Sequence, residues 1–201
     1  MKRRIILTLF LSLAFAAASQ AADPTIGEPA PDFKAEDIKG AEIELKDYRG
    51  KPVVLEWTNF DCPFVRKHYD SKNMQKLQKE FTERGVAWIT ICSSAPGKQG
   101  NYPADKWPDM MDKREASPTS LILDEDGTIG KLYGAKTTPH MFVSAADGTL
   151  VYNGAIDDKP SWDPKTLDEA ENYVQDALKA VLDDKKPETT KTKPYGCSVK
   201  Y

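Results

Sequence analysis

The sequence predicts an α/β domain, a central mixed β-sheet flanked by helices, and three observations carry that expectation. Apolar, strand-length runs at 53–57 (VVLEW), 86–92 (VAWITIC) and 121–123 (LIL) alternate with stretches of helical spacing, which is the pattern of parallel strands joined by helical crossovers. The run at 53–57 feeds, through Asn59–Asp61, straight into Cys62 and Pro63, so a strand turns into a helix with a cysteine at the joint. Further on, Met141–Val143 and Thr149–Tyr152 flank an Ala145–Gly148 turn, the signature of an antiparallel hairpin. Parallel crossovers followed by a hairpin make the sheet mixed.

The elements follow in order. Lys2, Arg3 and Arg4 precede an apolar run from Ile5 to Ala18, and Ser19-Gln20-Ala21 supplies a small-x-small cleavage pattern, so residues 1–21 read as a secretory signal peptide. The run is shorter than the ~20 residues that a membrane span needs. The expected product begins near Ala22 or Asp23, is periplasmic or secreted, and keeps no stable membrane span. Losing these three positive charges takes the formal net charge from −3 to −6. With 40% hydrophobic and 29% charged residues, the remaining chain suits one globular domain over 22–184. The mildly acidic balance without a basic stripe excludes a nucleic-acid partner.

Within that domain, Pro24–Gly50 reads as a mixed lead-in, with a short strand at Ala41–Leu45 capping one side of the sheet. A helix opens at Cys62 and runs to about Arg84, kinked at Asp70–Asn73, with Met74, Leu77 and Phe81 on its apolar face and Gly85 as its stop. Ser93–Gly100 is a loop at the carboxyl end of the second strand, where crevices of open α/β sheets form. Pro103–Glu115 and Ile129–Tyr133 read as short helices, and Lys165–Leu182 as the last long one. Beyond it, residues 185–201 are charged, threonine-rich and interrupted by prolines, which predicts an extended tail rather than packed structure. Yet this tail ends in GCSVKY, a cysteine in apolar and aromatic company.

The three cysteines carry the chemistry. A proline at the first helical position is favourable, because its missing N–H would have had no intrahelical partner. Cys62 then falls at the N-cap, where free backbone N–H groups and the helix dipole stabilise a thiolate. Export matters here, since an oxidising compartment permits disulfides. Cys62, Cys92 and Cys197 leave one cysteine over from any single internal pair. Cys92 closes an apolar strand and reads as a small core residue. No spacing resembles a metal finger, and neither a metal nor a cofactor is expected.

The stretch KPVVLEWTNFDCPFV resembles the strand, turn and active-site helix of the thioredoxin superfamily, in particular its exported AhpC/TSA redoxins and TlpA-like proteins. The resemblance extends to the lead-in IGEPAPDFKAEDIKGAEIELKDYRGK, to LILDEDGTIGKLYGAKTTPHMFV and to DGTLVYNGAID, in that order. It implies a thioredoxin-like fold in which Cys62 is the nucleophile. It also implies that Pro139 is the cis proline facing that cysteine, and that Thr138 offers its backbone to an extended substrate. Trp57 and Asn59 would line the approach. The second cysteine of the usual CxxC is absent, with Val65 in its place. Cys197 then becomes the candidate resolving thiol, since the GCSVKY ending resembles that of exported redoxins whose helix also opens with CPF. Arg66, one turn along the helix, and His140, beside Pro139, are candidates for electrostatic or proton-transfer support.

Three functions compete on these residues. The first is a thiol oxidoreductase acting on protein or small-molecule disulfides or on peroxides, recharged by an external thiol reductant. The second is a peroxiredoxin-type peroxidase, whose PxxxTxxC motif would need Pro at Leu55 and Thr at Asn59. The third is a non-catalytic module binding a thiol partner or a metal through Cys62, His68 and His140, but the CxxxC of metal-binding redoxins would need a cysteine at Arg66.

Overall fold

The computed structural model describes residues 23–201, so the predicted signal peptide lies outside the described residues. Strand β3 (Val53–Trp57) is the centre of a five-stranded sheet. On one side it pairs in parallel with β4 (Ala87–Cys92), which pairs in parallel with β5 (Ser120–Leu123). On the other it pairs antiparallel with β7 (His140–Ser144), which forms the expected hairpin with β8 (Leu150–Gly154). The sheet order is therefore β5-β4-β3-β7-β8, mixed as the sequence predicts.

Both faces of this sheet are covered, which explains why its central strands read as nearly unbroken apolar runs. Along β3 the side chains alternate between two cores. Val54 points toward α1 (Pro63–Asp70), α2 (Asn73–Glu83), α3 (Trp107–Arg114) and α5 (Tyr173–Leu182), among Val65, Phe81, Trp88, Met141 and Leu178. Val53, Leu55 and Trp57 point the other way, among Ile89, Ile91, Phe142 and residues of α4 (Thr128–Tyr133). That second face is closed by the lead-in, whose strands β1 (Lys34–Glu36) and β2 (Glu42–Glu44) form a small antiparallel pair carrying Phe33, Ile43 and Leu45 into the core.

The helix predicted over Cys62–Arg84 is two helices. Lys72 takes a left-handed conformation (φ 63°) between α1 and α2, which breaks the backbone ladder rather than merely bending it. Asn73 then reaches back to His68, with Nδ2 2.9 Å from Nδ1. The last predicted helix, Lys165–Leu182, is also divided. Pro164–Glu169 forms a 3-10 turn, Ala170 is extended, and α5 starts only after Asn172, whose side chain accepts from Gln175 N at 2.9 Å. An asparagine able to cap a new helix competes with continuing the old one.

The tail departs most from expectation. It is extended, but it packs. Thr190–Thr192 runs alongside Asn153, with Asn153 N donating to Thr190 O (3.1 Å) and Thr192 N to Asn153 O (3.2 Å). Gly154 makes room for this, since a Cβ there would collide with Thr192. Farther on, β9 (Cys197–Ser198) pairs antiparallel with β6 (Thr137–Thr138), and Tyr201 donates to Ala135 O at 2.9 Å. The prolines and charges that suggest an unpacked segment prevent it from forming its own helix or hairpin, but they do not prevent it from lying along an edge.

Candidate active site

Cys62 is the N-cap of α1 and has no exposed surface. Local turn chemistry places it there. Asn59 Oδ1 accepts from Asp61 N (2.9 Å), Asn59 O accepts from Cys62 N (2.9 Å), and Cys62 O accepts from Arg66 N (2.9 Å). Asp61 is held by Tyr102, whose hydroxyl lies 2.8 Å from both carboxylate oxygens. The Cys62 side chain makes no capping bond of its own. Instead its Sγ donates to Thr138 O at 3.1 Å, across 76 residues of chain.

Thr138 precedes Pro139 through a cis peptide bond, and the same residue is the register partner of Cys197. The two cysteines thus meet on one backbone unit. Gly196 permits the approach, with φ at +137° and no Cβ to collide with Thr138 O. Burial, then the proximity of the Cys62 sulfur, pushes the Cys197 pKa up to about 11. Cys197 therefore sits as a protonated thiol beside Cys62.

The remaining predicted site residues fall elsewhere. Trp57 does not line an approach to Cys62: it is fully buried on the opposite face of the sheet, packed on Tyr133 and Phe142, with Nε1 donating to Ser93 Oγ at 3.0 Å. Strand alternation sends it there, because Val54 and Glu56 already occupy the face of α1. Asn59 is 1% exposed and committed to backbone, donating to Gln99 O at 3.0 Å, so it shapes the turn rather than an entrance. Arg66 points outward into solvent, where water screens its charge.

His140 lies next to the cis bond but has no free ring nitrogen. Its Nδ1 accepts from Lys136 N (3.2 Å), so Nε2 carries the proton and donates to Asn153 Oδ1 (2.9 Å). Burial holds its pKa down at about 4, so it is a neutral brace and not a proton carrier at neutral pH. His68 is likewise occupied, by Asn73 and by Tyr195. Cys62, His68 and His140 thus do not converge as a ligand set; among the described residues no group of three or more histidine, cysteine or acidic side chains is placed to hold a metal ion.

Sequence reasoning missed several neighbours of the site. Lys67, His68, Asp157 and Tyr195 form a buried polar cluster beneath α1, and Phe64 packs edge-on against both Tyr195 and Trp162, each at 5.9 Å. Trp162 itself is 67% exposed. One signal was available. Lys67 and His68 lie three and four residues after Phe64, on its side of the helix, where two polar residues facing inward need partners.

A five-stranded mixed sheet, a cysteine opening a helix, and a cis proline facing that cysteine define a thioredoxin-like thiol oxidoreductase. The AhpC/TSA family pattern matches residues 26–153, and the chain belongs to the AhpC/TSA family. It is 29% identical over 128 residues to the thiol-disulfide oxidoreductase ResA of Halalkalibacterium halodurans, covering 57% of this chain and 72% of that one. It is also 33% identical over 139 residues to peroxiredoxin 2 of Caldanaerobacter subterraneus, covering 68% of this chain and 58% of that one. A crystal structure of a hypothetical protein from Sinorhizobium meliloti shares the fold at 23% identity, with a TM-score of 0.73 over 90% of this chain and 97% of that one.

Proposed function

We propose that this protein is an exported thiol-disulfide oxidoreductase in which Cys62 is the nucleophile and Cys197 the resolving thiol. Cys62, as thiolate, attacks one sulfur of a substrate disulfide, forming a mixed disulfide and releasing the other half as a thiol. Cys197 then attacks the Cys62 sulfur, its proton passing to the departing thiolate. The substrate gains two electrons, the protein is left with a Cys62–Cys197 disulfide, and an external thiol reductant restores the dithiol. The observation that carries this reading is that Thr138 serves both cysteines, its carbonyl accepting from Cys62 and its strand register holding Cys197. Val65 at the usual place of the second cysteine is buried in the core, so no thiol on the helix can do this work.

The docking edge is Thr137–Thr138 with Pro139. In the resting state the chain's own tail occupies it, so a protein substrate adds its strand there only by displacing Cys197–Ser198. Peptide mapping of oxidised protein under non-reducing digestion tests the pairing. A Cys62–Cys197 bond is expected, and a Cys62–Cys92 bond would overturn the assignment.

One observation favours a second reading, a thiol peroxidase. Cys62 has no exposed surface beneath the tail, so an oxidant that reaches it without moving β9 has to be small. Against it, Asn59 stands where the peroxidase motif has threonine, and its side chain is spent on the Gln99 and Asp61 backbone. Stopped-flow reaction of reduced protein with hydrogen peroxide and, separately, with a disulfide decides between the two. The disulfide is expected to react faster. Export rests on the N-terminal pattern of residues 1–21, and the intact mass of periplasmic material tests it, a mass that retains those residues being the contrary result.

A further inference from the structure

The docked tail needs something to fix its register. A two-residue strand pair is too short to hold a register by itself, and a slip of one residue would turn Cys197 away from Cys62. Beyond Cys197 the tail is tied by Val199 N to Lys136 O (3.1 Å) and by the Tyr201 hydroxyl to Ala135 O, so the anchor needed is on the side before it. Two residues before Cys197, however, the Tyr195 phenol is inserted among buried polar groups from two other segments. Lys67 and His68 come from α1, and Asp157 follows β8, with the side chains of all three fully buried.

Every hydrogen-bonding position of that phenol is used. It donates to Asp157 Oδ1 and accepts from Lys67 Nζ at 3.3 Å. Because Asn73 Nδ2 donates to His68 Nδ1, the neutral His68 carries its proton on Nε2 and presents it to the phenol at 3.4 Å. Lys67 also binds Asp157 Oδ2 (3.3 Å) and Lys159 O (2.9 Å). Such a buried ion pair repays its desolvation only when further hydrogen bonds fill its remaining positions, and one of those positions belongs to the tail. If the phenol withdraws, Asp157 and Lys67 each lose a buried partner.

We propose that Tyr195 is a positioning residue for the redox couple: its phenol, fixed between Lys67, His68 and Asp157, sets the register that places Cys197 opposite Cys62. This rests on the resolving role given to Cys197 above. Only Gly196 separates anchor from thiol, so displacing the anchor displaces the sulfur. The same cluster grows from the helix that begins at Cys62, which refers both sulfurs to one rigid element.

The test equilibrates full-length wild type, Tyr195→Phe and Tyr195→Ala with mixtures of reduced and oxidised glutathione. Glutathione disulfide and the dithiol exchange for two glutathione thiols and the Cys62–Cys197 disulfide, whose amount is read after acid quenching and mapping. Tyr195→Phe keeps the ring against Phe64 and removes only the hydroxyl. It is expected to lower the equilibrium constant for disulfide formation about tenfold, equivalent to about 30 mV for a two-electron couple, and Tyr195→Ala by at least as much. A purely structural role would lower resistance to urea without moving this equilibrium. An unchanged constant in Tyr195→Phe, with Cys62–Cys197 formed, overturns the positioning role alone; Tyr195→Phe decides the matter even if Tyr195→Ala fails to fold. Absence of that bond in wild type overturns the couple itself, and the positioning role with it.

Discussion

Cys62 and Cys92 occupy parallel situations and have opposite surroundings. Each lies at the carboxyl end of a central parallel strand, β3 or β4, and each is buried. Cys92 is covered by the loop that continues its own strand, with Sγ 3.6 Å from Ser94 Oγ and 3.5 Å from Gly100 O, and burial raises its pKa. Cys62 opens a helix and is covered by a segment from the far end of the chain, which brings a second thiol. On the proposed assignment, burial therefore does not separate the reactive cysteine from the packing one. The distinction lies in whether the cover belongs to the same loop or is a separate strand that a substrate can displace.

Substitutions sharpen that contrast. The largest effect is expected from Cys62→Ser, which removes the attacking sulfur and should reduce disulfide turnover to the uncatalysed background in a continuous thiol-release assay. Cys197→Ser comes next. A single turnover should still form a mixed disulfide on Cys62, visible by intact mass. Steady-state turnover should then become proportional to added thiol, because the reagent must replace an internal group whose effective concentration is of millimolar order or higher.

The acid response should set the two regions apart as well. The chain has two histidines, His68 and His140, and both brace the Cys62 side. Burial depresses His68 to about 3 and His140 to about 4, whereas in the unfolded chain both titrate near 6.5. Between about pH 4 and 6.5 the unfolded chain therefore binds more protons. The stability contributed by the neutral histidines is complete above pH 6.5 and falls as the pH drops through that window, by at most about 1.4 kcal/mol per pH unit for each. Urea midpoints measured from pH 7 to pH 4.5 check the slope. Alkylation of Cys62 should accelerate relative to Cys92 over the same interval.

Cys92→Ala is expected to do least. Removing one buried sulfur should cost about 1 kcal/mol of stability by denaturant titration and leave the disulfide-reductase rate within twofold of wild type. A large loss of activity would mean that Cys92 takes part in the redox cycle and would erase the contrast.

The Cys62 side was legible where local rules apply. Val53–Trp57 reads as a strand because it is a short apolar run rich in β-branched and aromatic residues, broken only by Glu56, and Pro63 marks a helix start because the first turn is where a helix tolerates proline. Thr138 and Pro139 emerged from the family resemblance and not from their own spacing. What stayed hidden depends on which face of the sheet each helix covers: Trp57 adjoins Cys62 in sequence yet lies on the opposite face of the sheet, while Asn59 is spent on the turn. Tyr195 lay further out of reach, since its partners stand 38 to 128 positions away and no periodicity links them.

Gly196 gives the arrangement a form that can be recognised without coordinates. The position tolerates no side chain, so the thiol that follows it is tied to a glycine by sterics and not by chance. Relatives that have lost the helical CxxC partner but keep a single late Tyr-Gly-Cys should have kept the docked strand too, whereas relatives retaining CxxC are free of that constraint. The tripeptide is thus a marker by which genome sequences could be sorted into redoxins whose second thiol comes from a docked tail and those whose second thiol sits on the helix.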